Sequence, residues 1–438
     1  MHDVSSSGKR VALCALLALA SSIAAGVAAP GGQGGVESPP PVDAATLDRG
    51  VQLAGVGGCS GCHTVQGRMP YAGGVPLETP FGTIYGTNIT PHATTGIGRW
   101  SEADFVRAMR EGVDRDGRHL YPAFPYQHFA LVSDDELHAL YAYLMTRTPV
   151  EYVAPANQLT FPFNVRPFLA VWNALYLRRD GYRPDAAQSA QWNRGAYVVQ
   201  SLGHCGACHS PLDALGGERR DEYLGGGSAE GWYAPPLDAK NPSPVRWTVE
   251  ALATYLRRGI APQHAMAGGP MQGVVEGLAQ ASDEDVNAMA VYLVSLMGGG
   301  TPEREARAND MLALANTPPT DDPTPARTET PGTPQSGASI YGGACASCHA
   351  EGRRASSGTA LQLSLAIAVH EADPSSLIRI IREGIIAPEG ERSRWMPAFA
   401  GALTDEQITA LVVYLRTLAP EAPPWQNVSE QVAKARSS

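Results

Sequence analysis

The stretch DRGVQLAGVGGCSGCH, residues 48–63, ends in two cysteines three positions apart with a histidine directly after the second. The same ending closes NRGAYVVQSLGHCGACH at 193–209 and QSGASIYGGACASCH at 335–349. On one turn of helix the two thiols of such a motif can each add to a vinyl group of haem, and the adjacent imidazole then projects over the ring and offers a nitrogen to the iron. The chain is therefore expected to carry three covalently bound haem c groups. Cys59 and Cys62, Cys205 and Cys208, and Cys345 and Cys348 form the attachments, and His63, His209 and His349 bind the iron. The two rival readings are weaker. A zinc site needs a fourth ligand that none of the three sets supplies, and a redox-active dithiol belongs in a βαβ setting that is absent here.

Working outward from the motifs, 146 residues separate Cys59 from Cys205 and 140 separate Cys205 from Cys345. A 438-residue chain holds about three domains at roughly 150 residues each, so one unit is used three times. Each unit carries an R-x-G turn after its motif (Gly112, Gly259, Gly384), where glycine closes a helix in the left-handed conformation. Each ends in SDDELHALYAYL, SDEDVNAMAVYL or TDEQITALVVYL. There Ser133, Ser282 and Thr404 are N-caps, and Glu136, Asp285 and Gln407 complete a capping box. Apolar residues recur behind them at helical spacing, and no alternating run is long enough for a substantial sheet. The expected fold is all-α, with units at 45–150, 186–300 and 336–420. Residues 151–185 form an extended aromatic linker, 301–335 a flexible Pro/Thr-rich linker, and 421–438 a tail.

Composition narrows the partners. The formal charge of −10 argues against nucleic acid, whose phosphates call for a Lys/Arg surplus. At the N-terminus, Lys9 and Arg10 precede an apolar run to Ala29 that closes on small residues before Pro30. This reads as a signal peptide over 1–29, with an uncleaved anchor as the alternative. Cys14 falls inside it. The remaining chain is expected beyond the cytoplasmic membrane.

The sixth iron ligand decides whether a haem only conducts or also reacts, and the axial ligand is a main lever on its potential. In small haem-c domains a methionine just before the last helix serves. Met396 stands eight residues before Thr404 and Met271 eleven before Ser282, with Met266 as runner-up. The first unit has no methionine in the corresponding loop, HLYPAFPYQHF. His128, five residues before Ser133, is the candidate there. The alternatives are a hydrogen-bonding His128 and an open sixth position. No nucleophile triad, phosphate loop or carboxylate pair suggests catalysis on this chain.

The run FGTIYGTNITPHATTGIGRWSEADFVRAMREGVDRDGRHLYPAFPY, the three C-x-x-C-H motifs and the repeated S-D-[DE] helix resemble the triheme cytochrome c subunits of bacterial membrane-bound dehydrogenases. The resemblance covers about residues 45–420. It implies tandem class I cytochrome c domains at the outer face of the cytoplasmic membrane, in peripheral contact with it, in the periplasm. It also implies a catalytic dehydrogenase partner (molybdenum, PQQ or flavin) and electron delivery to ubiquinone or a terminal oxidase. Met271 and Met396 match the distal positions of that family. Alcohol-type members carry methionine where Phe124 stands, and YPAFPYQHF looks closer to the cytochromes that accompany molybdenum hydroxylases. Two rivals remain: a haem enzyme, such as a peroxidase or sulfur-compound oxidase, using an open first haem, and a free periplasmic shuttle.

Overall fold

The fold follows from three glycines. In the computed structural model, which describes residues 42–316, 336–350, 361–386 and 396–436, each repeat crosses its first helix over its last at a glycine. A Cβ on Gly50 would fall inside the contact radius of the Ala139 carbonyl oxygen and Tyr143 Cβ. Gly195 faces Ala288 and Tyr292 in the same way, and Gly337 faces Ala410 and Tyr414. Any side chain there would push the two helices apart, so close packing of the pair depends on its absence.

In the first repeat α1 (Ala44–Val56) crosses α3 (Asp134–Met145), with α2 (Glu102–Glu111) between them. A short sheet, β1 (Pro76–Thr79), β2 (Gly82–Tyr85) and β3 (Gln158–Leu159), is antiparallel throughout. α4 (Leu169–Tyr176) follows. In the second repeat α5 (Ala190–Gln200) crosses α8 (Asp283–Met297), with α6 (Val249–Arg258) and α7 (Pro270–Leu278) between. Two small hairpins lie here, β4 (Gly227–Ala229) with β5 (Trp232–Ala234), and β6 (Ile260–Ala261) with β7 (Ala265–Met266). α9 (Pro302–Asn316) leads to the third repeat, in which α10 (Gly337–Ile340) crosses α12 (Asp405–Arg416), flanked by α11 (Ser375–Glu383) and α13 (Val428–Lys434).

Several expectations are corrected. The chain is largely helical but not all-α. Among the described residues its strands are at most four residues long, too short for an alternating pattern to register in sequence. Residues 151–185 are more than an extended link. β3 pairs with β2, and α4 buries Leu169 and Trp172, with the Trp172 indole donating to the Leu215 carbonyl at 3.1 Å. Within 301–335, residues 302–316 are α9, which has mostly helix-forming residues. Its Ala308 is buried with Val245 and Leu365, and Arg304 donates to the Asn241 and Ser243 carbonyls. Residues 317–335, the signal segment 1–29 and Cys14 lie outside the described residues. The 421–438 tail holds α13, whose Val428 and Val432 are buried in the third core.

The cores are also unequal. The first two repeats share one apolar cluster that runs from Leu53 and Leu140 to Leu202 and Met289, whereas the third has its own around Ile378, Ile408 and Leu411. The helix caps divide in the same way. Ser133 and Ser282 cap as expected, accepting from the Glu136 and Asp285 amides, but those two carboxylates do not return to complete a box. They are committed across the repeats. Arg49 reaches Glu136 at 2.6 Å and Asp285 at 2.8 Å, and Arg194 reaches Glu136 at 3.0 Å and Asp285 at 2.6 Å. The third repeat has Ser336 and Gln407 in the matching places, and there the capping box is complete.

Gly112 and Gly259 close their helices in the left-handed conformation as expected, at φ 62° and 71°, whereas Gly384 has a positive φ of 76° but an extended ψ of −171° and leaves its helix differently.

Candidate haem-binding sites

Each C-x-x-C-H motif ends on a short helical turn, with His63, His209 and His349 as its last residue. The chain then folds back over the turn. Gly86 crosses so close to the Cys62 carbonyl, and Gly227 to the Cys208 and Ser210 carbonyls, that a Cβ at either would overlap them. This return puts a backbone carbonyl beside each imidazole. His63 Nδ1 donates to the Thr87 oxygen at 2.5 Å, His209 Nδ1 to Pro235 at 2.7 Å and His349 Nδ1 to Leu361 at 2.8 Å. A hydrogen on Nδ1 leaves the lone pair on Nε2, and among the described residues no protein group takes any of the three Nε2 atoms. Burial lowers the pKa of all three rings, which keeps them neutral and able to ligate.

The sulfur atoms fit the same group. All six described cysteines are free. Burial pushes Cys59 and Cys205 up to about 12, and Cys62, Cys208 and Cys345 up to about 11. A redox-active dithiol needs the opposite shift, because the thiolate is its nucleophile, whereas a thioether is neutral and at home in apolar surroundings. Among the described residues no three His, Cys, Asp or Glu side chains gather to hold a bare ion. Among the described residues the Trp247 indole and the Tyr223 hydroxyl are buried without a partner, two donors suited to the acidic edge of a haem. The residues present fit haem. When bound, it supplies an iron that gains and loses one electron.

On the distal side, Met396 follows the Gly384 turn and exchanges both backbone hydrogen bonds with Ile385 at 3.0 Å, and its side chain packs on the third core. Met271 is the second residue of α7 and packs on the shared core. Met266 pairs with Ile260 after the Gly259 turn, at the register Met396 occupies in its own repeat.

His128 is placed differently from expectation. It is 1% exposed, its Nδ1 lies 2.9 Å from the Gln200 carbonyl, and its Nε2 is hydrogen-bonded to the Glu218 carboxylate. With both nitrogens taken by the second repeat, none is left for iron. The expected ligand is an inter-repeat contact. Phe124 stands nearby in an aromatic group with Tyr126 and Phe129, and Phe129 meets the His204 ring edge-on. Sequence reasoning also missed Arg49 and Arg194, whose R-G dipeptides in the first two repeats against S-G in the third were the available signal.

Three neutral imidazoles with free Nε2 atoms, each directly following a pair of free cysteines, define a c-type cytochrome. Comparison with known proteins agrees. The family described as cytochrome c matches residues 47–148 and 193–297, and the family described as cytochrome c oxidase, cbb3-type, subunit III matches 332–415. The gluconate 2-dehydrogenase cytochrome c subunit of Pantoea cypripedii is 39% identical over 391 residues, covering 85% of each chain. The cytochrome c subunit of the quinone alcohol dehydrogenase of Gluconobacter oxydans is 32% identical over 409 residues, 90% of this chain and 83% of that one. A nicotinate dehydrogenase subunit of Pseudomonas putida is 46% identical over 398 residues, but this chain spans only 32% of its length. The chain belongs to the family of dehydrogenase cytochrome c subunits, which transfer electrons.

Proposed function

We propose that the chain carries three haems c in three tandem class I domains and relays electrons from a separate catalytic dehydrogenase subunit to ubiquinone or a terminal oxidase at the periplasmic face of the membrane. The observation that carries this reading is the threefold carbonyl–imidazole geometry at His63, His209 and His349. Those hydrogen bonds orient each ring and raise its basicity toward iron. Cys59, Cys62, Cys205, Cys208, Cys345 and Cys348 hold the porphyrins. Met271 and Met396 are the distal ligands of the second and third. Their thioethers favour reduced iron and raise those potentials.

The partner is of the molybdenum, PQQ or flavin class. The 46% identity to a nicotinate dehydrogenase subunit favours a partner of the nicotinate dehydrogenase kind over the gluconate and alcohol kinds, whose cytochrome subunits are 39% and 32% identical. Membrane contact has support on the surface. Val171 and Leu175 on α4 and Phe168 just before it are 61%, 56% and 56% exposed, and Phe161 earlier in the chain is 79% exposed. In a chain of net charge −10, residues 161–183 hold Arg166, Arg178, Arg179 and Arg183 against Asp180 alone. An apolar face flanked by arginine suits an anionic bilayer surface. Among the described residues no helix is long and apolar enough to cross a membrane.

Intact mass of the mature holoprotein tests the reading. Three haem additions are expected, and two or fewer would refute the count. The engagement of His128 by Gln200 and Glu218 favours a second reading of the first haem, with an open sixth position. It predicts that reduced protein binds one carbon monoxide per chain, and that a chain whose reduced haems bind none has a sixth ligand there.

A further inference from the structure

The contact that keeps His128 from iron presses on the attachment turn of another haem. Gly206, between Cys205 and Cys208, has no room for a side chain. A Cβ there would lie 2.6 Å from the Tyr223 ring, 3.1 Å from Glu218 Oε2 and 3.3 Å from His128 Cε1. The other two motifs carry Ser60 and Ala346 at this position. The second motif alone is cut down to glycine, and the space admits a histidine of the first repeat beside a carboxyl of the second. Both are buried, His128 to 1% exposure and the Glu218 side chain to 9%.

Hydrogen-bond geometry counts the protons on this pair. The Gln200 carbonyl can only accept, so His128 Nδ1, 2.9 Å away, carries a hydrogen. Nε2 is hydrogen-bonded to the Glu218 carboxyl. One further proton must lie in that bond, on the ring as an imidazolium or on the carboxyl as an acid. With that proton the pair is neutral. Without it the pair leaves a negative charge beside the Cys205–Cys208 turn, and the charge of Glu218 is felt at Cys208. The other ionisable groups that face the pair keep their state. His204 donates Nδ1 to the Leu202 carbonyl at 2.8 Å, and burial lowers its pKa to about 4, so it stays neutral. Burial holds the Tyr223 hydroxyl well above its usual range, so it stays protonated. Arg178, 5.9 Å from the Tyr223 ring, is a permanent cation.

We infer that His128 and Glu218 form a proton site coupled to the second haem, held full while that iron is ferrous and emptied to water when it becomes ferric. This rests on the relay reading above, which places a haem on Cys205 and Cys208. One electron leaves the iron for the next haem of the relay, and one proton leaves the pair through the exposed margin of Glu218. The two events are linked because the proton and the added charge of ferric iron repel each other. The linkage is reciprocal, so loss of the proton lowers the potential of that haem by the same free energy. His128 thus acts as a positioning residue of the first repeat on the electron carrier of the second, with no bond to iron.

The full-length holoprotein is titrated potentiometrically from about pH 5 to about pH 9, the range in which a histidine changes charge, and followed at the haem absorbance band. One of the three one-electron steps should fall by about tenfold in its equilibrium constant across that range, which is about 59 mV. Glu218→Gln keeps a hydrogen bond, since its amide can donate to Nε2, but it has no proton to release. Its pH dependence should shrink to less than half that of wild type, and His128→Gln, the second variant, should do the same. The haem propionates contribute equally in all three proteins. Oxidation of the reduced proteins by ferricyanide, with phenol red in weak buffer, reads the proton directly, and wild type should release more acid than either variant. Equal pH dependence in wild type and a haem-loaded variant, or equal acid release, overturns the proton site while the relay stands. A holoprotein that shows no one-electron step overturns the relay itself.

Discussion

Arg194→Ala tests how the first two repeats are joined. Arg194 and Arg49 share Glu136 and Asp285 through five hydrogen bonds of 2.6–3.0 Å. The acids are the buried members, with side chains 12% and 4% exposed, while both arginines are 28% exposed. Breaking a fully buried pair costs about 3–5 kcal/mol, but water still reaches the arginines and Arg49 remains to hold both acids. A cost of about 2 kcal/mol follows, or roughly thirty-fold in the opening equilibrium. Burial pushes the Asp285 carboxyl up, but Arg194 and Arg49 outweigh it and hold the pKa below the usual carboxylate value. A depressed folded-state pKa gives stability that is present above the unfolded pKa and lost as pH falls through the folded one. The variant's deficit should therefore be full at pH 7 and shrink below about pH 4. Hydrogen exchange of the holoprotein provides the assay. Amides in 44–56 and 190–200 should exchange faster together, while 405–416 in the third repeat stays unchanged. Equal acceleration in all three regions, or no change in the first two, would refute the idea that this network couples one pair of repeats.

Other outcomes follow from single residues. Gly195→Ala places a methyl against the Ala288 carbonyl and Tyr292, and should cost about 2–3 kcal/mol and several degrees of thermal midpoint, read by calorimetry. Glu371→Gln removes a carboxyl whose folded pKa is raised from 4.5 to about 8. Wild-type stability should fall as pH climbs through that window, so the variant gains on the order of 3 kcal/mol relative to wild type between pH 5 and pH 8, and a pH-independent difference in thermal melts would count against it. His128→Phe should leave the spin state of every haem untouched while raising exchange in 190–200. A new high-spin signal would restore His128 as an iron ligand.

The turn that carries Cys59, Cys62 and His63, and its two repeats, was legible because both residue type and spacing recur there, and each histidine ends its short helical turn. Helix starts were legible for a similar reason: Ser133, Ser282 and Thr404 cap as their hydroxyls dictate. What failed depended on distant partners. His128 sits in the expected loop, but the carboxylate that takes its Nε2 comes from Glu218, 90 residues away. Glu136 and Asp285 occupy capping-box positions, yet arginines on other helices offer a stronger, charge-assisted bond than a backbone amide does. α9 was hidden because its helical residues run into a Pro/Thr-rich stretch that dominated the composition. The cavity walled by Tyr233, Arg416 and Trp425 could not be read at all, since its walls come from segments separated by almost two hundred residues.

A potentiometric titration of the full-length holoprotein, followed at the haem absorbance band, bears most directly on the claim that this polypeptide is a conductor. It should resolve one-electron steps that total three electrons per chain, with the two centres for which Met271 and Met396 are the proposed ligands at the higher potentials. A total of two electrons or fewer, or a colourless chain with nothing to titrate, would contradict it.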